Sequence, residues 1–161
     1  MKSLCGKPQS IMFLGFNSLL SQQAAGNLTQ ERLKENTMNL SEYFEMTKGV
    51  GVLSTADSDG RVDAAIYARP HFVDDGTLAF IMRDRLTHHN LQSNPYATYL
   101  FKEDGVGYHG KRLFMSKVRE EQNSELLESL RRRKAAYGND EDRFLVFFKL
   151  DKERPLVGDV K

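Results

Sequence analysis

Three short strand-like runs, the middle one with a two-residue period, follow one another between residues 50 and 82, joined by turns rich in aspartate and glycine. The first, "VGVLSTA" (50–56), reads as a buried strand, and "DSDG" (57–60) after it has the chemistry of a hairpin turn. The return run, "RVDAAIYAR" (61–69), alternates, with Val62, Ala64, Ile66 and Ala68 on one face and Asp63, Ala65, Tyr67 and Arg69 on the other. Pro70 ends it or marks an edge, because proline donates nothing to a ladder. "DDG" (74–76) then turns the chain into "TLAFIM" (77–82). Tight turns between alternating runs force antiparallel neighbours, so any fold must be built around an antiparallel sheet.

The remaining segments extend that sheet. "YATYLF" (96–101), "RLFMSKV" (112–118) and "RFLVFFKL" (143–150) are strand patterns, and glycine-rich "EDGVGYHGKR" (103–112) is a loop. Three helices are predicted. One follows Asn39, which with Glu42 resembles a capping box, and carries Leu40, Tyr43, Phe44 and Met46 on one face; Gly49 ends it. A second covers 87–93 and stops at Asn94-Pro95, since the residue before proline is pushed out of the helical region. The third, 120–137, is acidic at its start and basic at its end, as the helix dipole favours, with Gly138 as its stop. Six or so strands with few helices make a small closed or split barrel the economical fold.

The chain has 161 residues, 40% of them hydrophobic, enough for one domain with one core. Its net charge of +1 supplies no general field for nucleic acid or a membrane surface, so any anion must be met by a local cluster. The single Cys5 excludes an intramolecular disulfide, and no apolar run is long enough to span a membrane. "IMFLGF" (11–16) is too short and too interrupted for a signal peptide, which points to a cytoplasmic protein. Residues 1–37 lack sustained periodicity; they form a frayed arm, a start called too early, or an arm packed on a partner subunit. The folded domain is expected over 38–161.

Most chemistry-bearing residues have bland readings. His88 and His89 are adjacent, so on a helix they point about 100° apart and do not share a metal ion comfortably. Arg131, Arg132, Arg133 and Lys134 follow Glu128 at the spacing of a self-paired, solvated helix face. No serine has a nucleophile elbow, and the glycines at 105, 107 and 110 lead into a strand, not a dinucleotide-binding helix. One stretch stands out, "FIMRDRLTHHNLQSNP" (80–95). Arg83, Arg85, Thr87 and His88 gather where a strand hands over to a helix, and a phosphate needs such convergent donors at a helix N-terminus. A solvated turn is the competing reading.

"GVLSTADSDGRVDAAIYARP", a strand ending in "FIM", the junction closing with "NLQSNP", and "GKRLFMSKV" together resemble the split-barrel flavoproteins of the pyridoxamine 5′-phosphate oxidase-like family, over about residues 38–150. The resemblance implies a mostly β, Greek-key, antiparallel split β-barrel with a few flanking helices, binding FMN at the interface of a homodimer. It places Ile66, Tyr67, Ala68 and Arg69 along the flavin edge and Ile81 and Met82 against the ring. Arg83, Arg85, Thr87, His88 and Asn90 fall at the phosphate junction, and Lys111 approaches the flavin. The family's Ser-Arg-Lys is Arg85-Leu86-Thr87 here, so the lysine is missing. The C-terminal substrate-phosphate motif of true pyridoxamine phosphate oxidases is also absent from "DKERPLVGDVK". The implied activity is flavin-mediated electron or hydride transfer to a small-molecule substrate or redox partner, with no catalytic side chain named. Its rivals are an electron carrier or flavin sensor, a haem protein using His88, His89 or His109, and an interaction protein with a merely solvated junction.

Overall fold

A computed structural model of the chain describes residues 40–73, 75–131 and 142–158. Seven strands form one antiparallel sheet: β1 (Gly49–Ala56), β2 (Val62–Tyr67), β3 (His71–Phe72), β4 (Leu78–Arg83), β5 (Tyr96–Glu103), β6 (Gly110–Gln122) and β7 (Arg143–Pro155). Three helices accompany them: α1 (residues 40–46), α2 (Leu86–Ser93) and α3 (Glu125–Leu130). The order across the sheet is β2-β1-β5-β6-β7-β4-β3. The expected arm, residues 1–37, lies outside the described residues.

The sheet curls. Phe80 of β4 and Tyr99 of β5 have ring centroids 5.0 Å apart, with β6 and β7 between their strands. In a flat sheet three strand spacings would hold them about 14 Å apart. The rolled interior is an aromatic core in which Leu53, Phe80, Tyr99, Phe101, Met115 and Phe148 come from five strands, with Leu40 and Phe44 of α1 closing one end. A smaller cluster on the other side of the sheet packs Leu127 of α3 against Ala79, Leu145 and Phe147.

The first hairpin forms for the reasons its sequence announces. Asp57 accepts from the backbone N–H groups of Asp59 and Arg61, each at 2.9 Å, and Gly60 takes the left-handed φ of +81° that the turn requires. β2 alternates as expected, with its apolar face outward: Val62 is 74% exposed and Ile66 79%. α2 ends at Asn94, before Pro95, as the sequence predicts.

Two helical expectations are corrected. The third helix starts at Glu125, with Ser124 as its cap, and residues 120–122 belong to β6. Glu120 and Glu121 pair with Val146 and Leu145 of β7 across an irregularity at Lys117/Arg119, so strand pairing overrides their helix preference. Gly49, expected to end α1, opens β1. The remainder of that third helix, with Arg132, Arg133, Lys134 and Gly138, lies outside the described residues. The last strand runs on to Pro155, well past its apolar portion.

Candidate functional site

Curling leaves a groove where the two ends of the sheet face each other. Its volume is about 600 Å³, and its walls are Gly49, Val50 and Gly51 of β1, Ile66 and Tyr67 of β2, Ala68 and Arg69 beyond it, His71 of β3, Phe80 and Ile81 of β4, Tyr99 of β5, and Arg131 and Arg143. The floor depends on a missing side chain. A Cβ on Gly51 would lie 1.8 Å from the Tyr99 hydroxyl, so only glycine lets that ring pass beneath β1. Tyr99 is fully buried, and its hydroxyl donates to the Ala68 carbonyl at 3.1 Å, fixing the chain just beyond β2.

The strand-to-helix junction is joined to this groove through β2. The Thr87 hydroxyl donates to Asp63 Oδ2 at 2.9 Å, on the same strand as the half-buried Tyr67. Burial pushes the Tyr67 phenol up, as does the Asp63 charge, while Thr87 and Arg85 pull it down; the net direction is upward, so the hydroxyl keeps its proton. α2 begins at Leu86 after an extended Arg85, without a side-chain cap, which leaves first-turn N–H groups without an intrahelical partner. Such groups suit an anion.

The predicted site residues divide. Ile66, Tyr67, Ala68, Arg69 and Ile81 line the one groove. Met82 points away into the core, 1% exposed. Arg83 and Arg85 stand at the junction, with Asp84 between them. Thr87, His88 and Asn90 are buried and engaged by protein groups. His88 stacks on Phe144 with centroids 3.9 Å apart; Nδ1 is 3.1 Å from Asp84 Oδ1, and Nε2 lies 3.0 Å from the Gln92 amide and 3.3 Å from Glu120 Oε2. Asn90 donates to Thr55 Oγ1 at 3.2 Å, holding α2 on β1. Lys111 does not line the groove: it pairs with Glu153 and lies 4.8 Å from the Tyr43 ring centre. The Arg69 guanidinium reaches the carbonyls of Phe44 and Glu45, near the end of α1.

His89 and His109 are exposed and do not line the groove. Among the described residues, no three His, Cys, Asp or Glu side chains are grouped to hold a metal ion, and no helix is long and apolar enough to cross a membrane. Gly49, Val50, Gly51, His71, Tyr99 and Arg143 line the groove although they carried no functional signal in the sequence. Arg131 was legible only as the partner of Glu128, which it does contact at 2.7 Å.

No protein-family model matches the chain, and no curated protein matches its sequence. Solved structures do. An FMN-binding protein from Syntrophomonas wolfei subsp. wolfei superposes with a TM-score of 0.60 at 16% identity, covering 91% of this chain and 100% of its own. The fold is a split barrel. An F420 reductase (TM-score 0.54, 16% identity, 70% of this chain and 94% of that one) shares it. So does General Stress Protein 26 from Bacillus anthracis (TM-score 0.54, 15% identity, 74% and 92%). In this split barrel the junction adjoins the strand that lines the groove, since Thr87 of α2 is hydrogen-bonded to Asp63 of β2, which also carries Ile66 and Tyr67.

Proposed function

We propose that the chain is an FMN-binding oxidoreductase that passes electrons or hydride between the flavin and a small molecule, and that it works as a homodimer with FMN at the subunit interface. The observation that carries the reading is the junction between groove and arginine-bearing helix start: a mostly apolar groove lined by Ile66 and Tyr67 of β2 lies beside Arg83, Arg85 and the uncapped N–H groups of α2, which is tied to β2 by the Thr87–Asp63 hydrogen bond. A flavin is a flat apolar ring with a phosphate on a flexible tail, and the two parts fit those two surfaces. Ile66, Tyr67, Ala68, Arg69 and Ile81 would flank the ring. Arg83, Arg85 and the helix start would hold the phosphate, while Thr87, His88 and Asn90 position α2 rather than touch the ligand. Bound FMN would supply the redox chemistry, leaving the protein to orient it and exclude water. The FMN-binding and F420 reductase names of two split-barrel structures agree with this reading.

The homodimer draws on the outer face of β2, β1 and β5. Val62, Ile66, Val50 and Leu100 are exposed there, and Val52 pairs with both Ile66 and Leu100 across the strands. A second copy covering this face would bury that apolar surface.

An absorbance spectrum of the purified protein with and without added FMN tests the cofactor, since bound oxidised flavin gives two perturbed bands in the near-ultraviolet and blue. Replacing Arg83 and Arg85 together by alanine is expected to weaken FMN by about 3 kcal/mol or more, the scale of lost charge-assisted bonds. Unchanged affinity would remove the phosphate assignment. Turnover with reduced nicotinamide and a quinone, nitro-compound or ferric acceptor separates an enzyme from an electron carrier or sensor. A Soret band would favour haem instead.

A further inference from the structure

The third residue of α2 is a buried histidine whose two ring nitrogens have unlike neighbours. His88 Nδ1 faces the Asp84 carboxylate at 3.1 Å, in the junction before the helix. Nε2 faces the Gln92 amide nitrogen at 3.0 Å and, from β6, Glu120 Oε2 at 3.3 Å. Phe144 of β7 covers the ring face and brings no charge. Lys117 of β6 completes the surroundings, with Nζ 2.7 Å from Glu120 Oε2. An amide N–H can only donate, so Nε2 accepts and the single ring proton sits on Nδ1, donated to Asp84. The other Gln92 amide hydrogen reaches Glu120 Oε2 at 3.2 Å. With His88 neutral, the carboxylates of Asp84 and Glu120 outnumber the Lys117 ammonium, and the cluster is left net negative. A second ring proton brings it to neutrality, and Nε2–H then donates to Glu120 in place of accepting from Gln92.

Asp84 carries that negative charge into the junction. It precedes Arg85, the residue before the first turn of α2, and its side chain is 70% exposed there. A carboxylate at this point repels any anion that the first-turn N–H groups attract, and a proton on His88 offsets it. His88 itself lies about 3 Å along the axis from Leu86, where α2 begins, well inside the reach of a charge in salt water. We propose that His88 is a proton switch on the flavin phosphate site: its charged form tightens FMN binding, and its neutral form loosens it. The proposal rests on the flavin reading, which puts the phosphate at the start of α2. Histidine ordinarily gains its charge between about pH 5 and 8, so mild acidification works the switch. The coupling is reciprocal, because a proton that favours the phosphate is favoured by it in return.

Two measurements on the full chain read the proton and the flavin separately. Ring-nitrogen NMR shifts of His88 from about pH 8 to pH 5 should show a proton on Nδ1 alone at the alkaline end and on both nitrogens at the acid end. Saturating FMN should raise the midpoint of that change by about half a pH unit or more, equivalent to about threefold in affinity. Riboflavin, which lacks the phosphate, should leave the midpoint in place. Fluorescence titrations should match: between about pH 8 and pH 5, FMN affinity should rise about threefold more in the wild type than in His88→Gln. Glutamine keeps hydrogen-bonding capacity without titrating, and the comparison cancels the titration of the FMN phosphate itself. Asp84→Asn, at an exposed side chain, provides a variant that leaves the core alone. At about pH 8 it should tighten FMN by roughly threefold, doing with an uncharged amide what the His88 proton does. A His88 ring that gains no second proton, a midpoint that ignores FMN, parallel pH profiles in the wild type and His88→Gln, or no gain in Asp84→Asn overturns the proposal and leaves the flavin reading standing. A wild type that binds FMN at no pH removes the flavin reading, and the switch falls with it.

Discussion

Replacing Gly51 by alanine tests the floor of the groove with the smallest possible change. The added methyl would sit 1.8 Å from the Tyr99 hydroxyl oxygen and 2.3 Å from the ring carbon that bears it, so one of them must move. Tyr99 has little room to do so. It is fully buried, with Phe80, Phe44 and Phe101 rings at 5.0, 6.1 and 6.4 Å, and its hydroxyl is held by the Ala68 carbonyl. Overpacking a filled core costs about 1–3 kcal/mol, and losing the hydroxyl's hydrogen bond adds about 1 kcal/mol. At about 2–4 °C per kcal/mol for a chain of this size, Tm should fall by roughly 5–15 °C in a thermal scan followed by circular dichroism. Tyr99→Phe removes the nearest atom and the hydrogen bond together. In that background Gly51→Ala should therefore cost about 1 kcal/mol less than in the wild type, a coupling that a double-mutant cycle reads directly. A Gly51→Ala variant within about 2 °C of the wild type would refute the packing argument, and with it the role of Tyr99 as the groove's floor.

Other expectations follow from polar groups described above. Asn90→Ala leaves the buried Thr55 hydroxyl without its donor and should destabilise by about 1–3 kcal/mol in a urea titration; a loss below about 0.5 kcal/mol would show that the bond does not hold α2 to β1. Burial pushes Asp75 and Glu120 up, yet Thr77 and Arg119 bring Asp75, and Lys117, Gln92 and His88 bring Glu120, below the usual carboxylate range. Folded-state pKa values below the unfolded ones give stability that is present above about pH 4–4.5 and is lost as pH falls through the folded values. Tm measured in acid should therefore drop, and Arg119→Ala with Lys117→Ala should flatten the drop. Tyr43 goes the other way: burial, then the hydrogen bond it donates to Glu103 at 2.7 Å and that residue's charge, push its phenol up. Its contribution is present below about pH 10 and lost as pH rises further, so Tyr43→Phe should weaken the alkaline fall in Tm; an identical alkaline limb would contradict it.

The strands were legible because their period is local. Asp57 and Gly60 announced their own turn, and Asn94-Pro95 its own helix stop. What failed was whatever depended on a distant partner. Glu120 and Glu121 look like the first turn of a helix until β7 is laid beside them. β3 has two residues, too few to carry a pattern. The alternation of β2 named two faces without saying which would be covered, and the apolar one faces outward. The charged junction drew attention through its composition, yet His88 and Asn90 serve the packing of α2. Arg131 and Arg143 reach the groove only because β7 inserts between β6 and β4, an arrangement that no window of sequence around either residue reveals.

That insertion also sets an order of events during folding. β4 ends at Arg83, and its partner begins at Arg143. While the intervening chain is being made, one side of β4 presents bare amide and carbonyl groups, and the aromatic core lacks Phe148. The β1–β2 hairpin can form early from neighbouring residues, but the sheet cannot roll shut until the last strand slots in. Such distant closure is slow, and the waiting intermediate offers an unpaired edge to any other extended chain nearby. Expression yield of this protein should thus depend on how quickly β7 arrives, more than on the stability of the finished barrel.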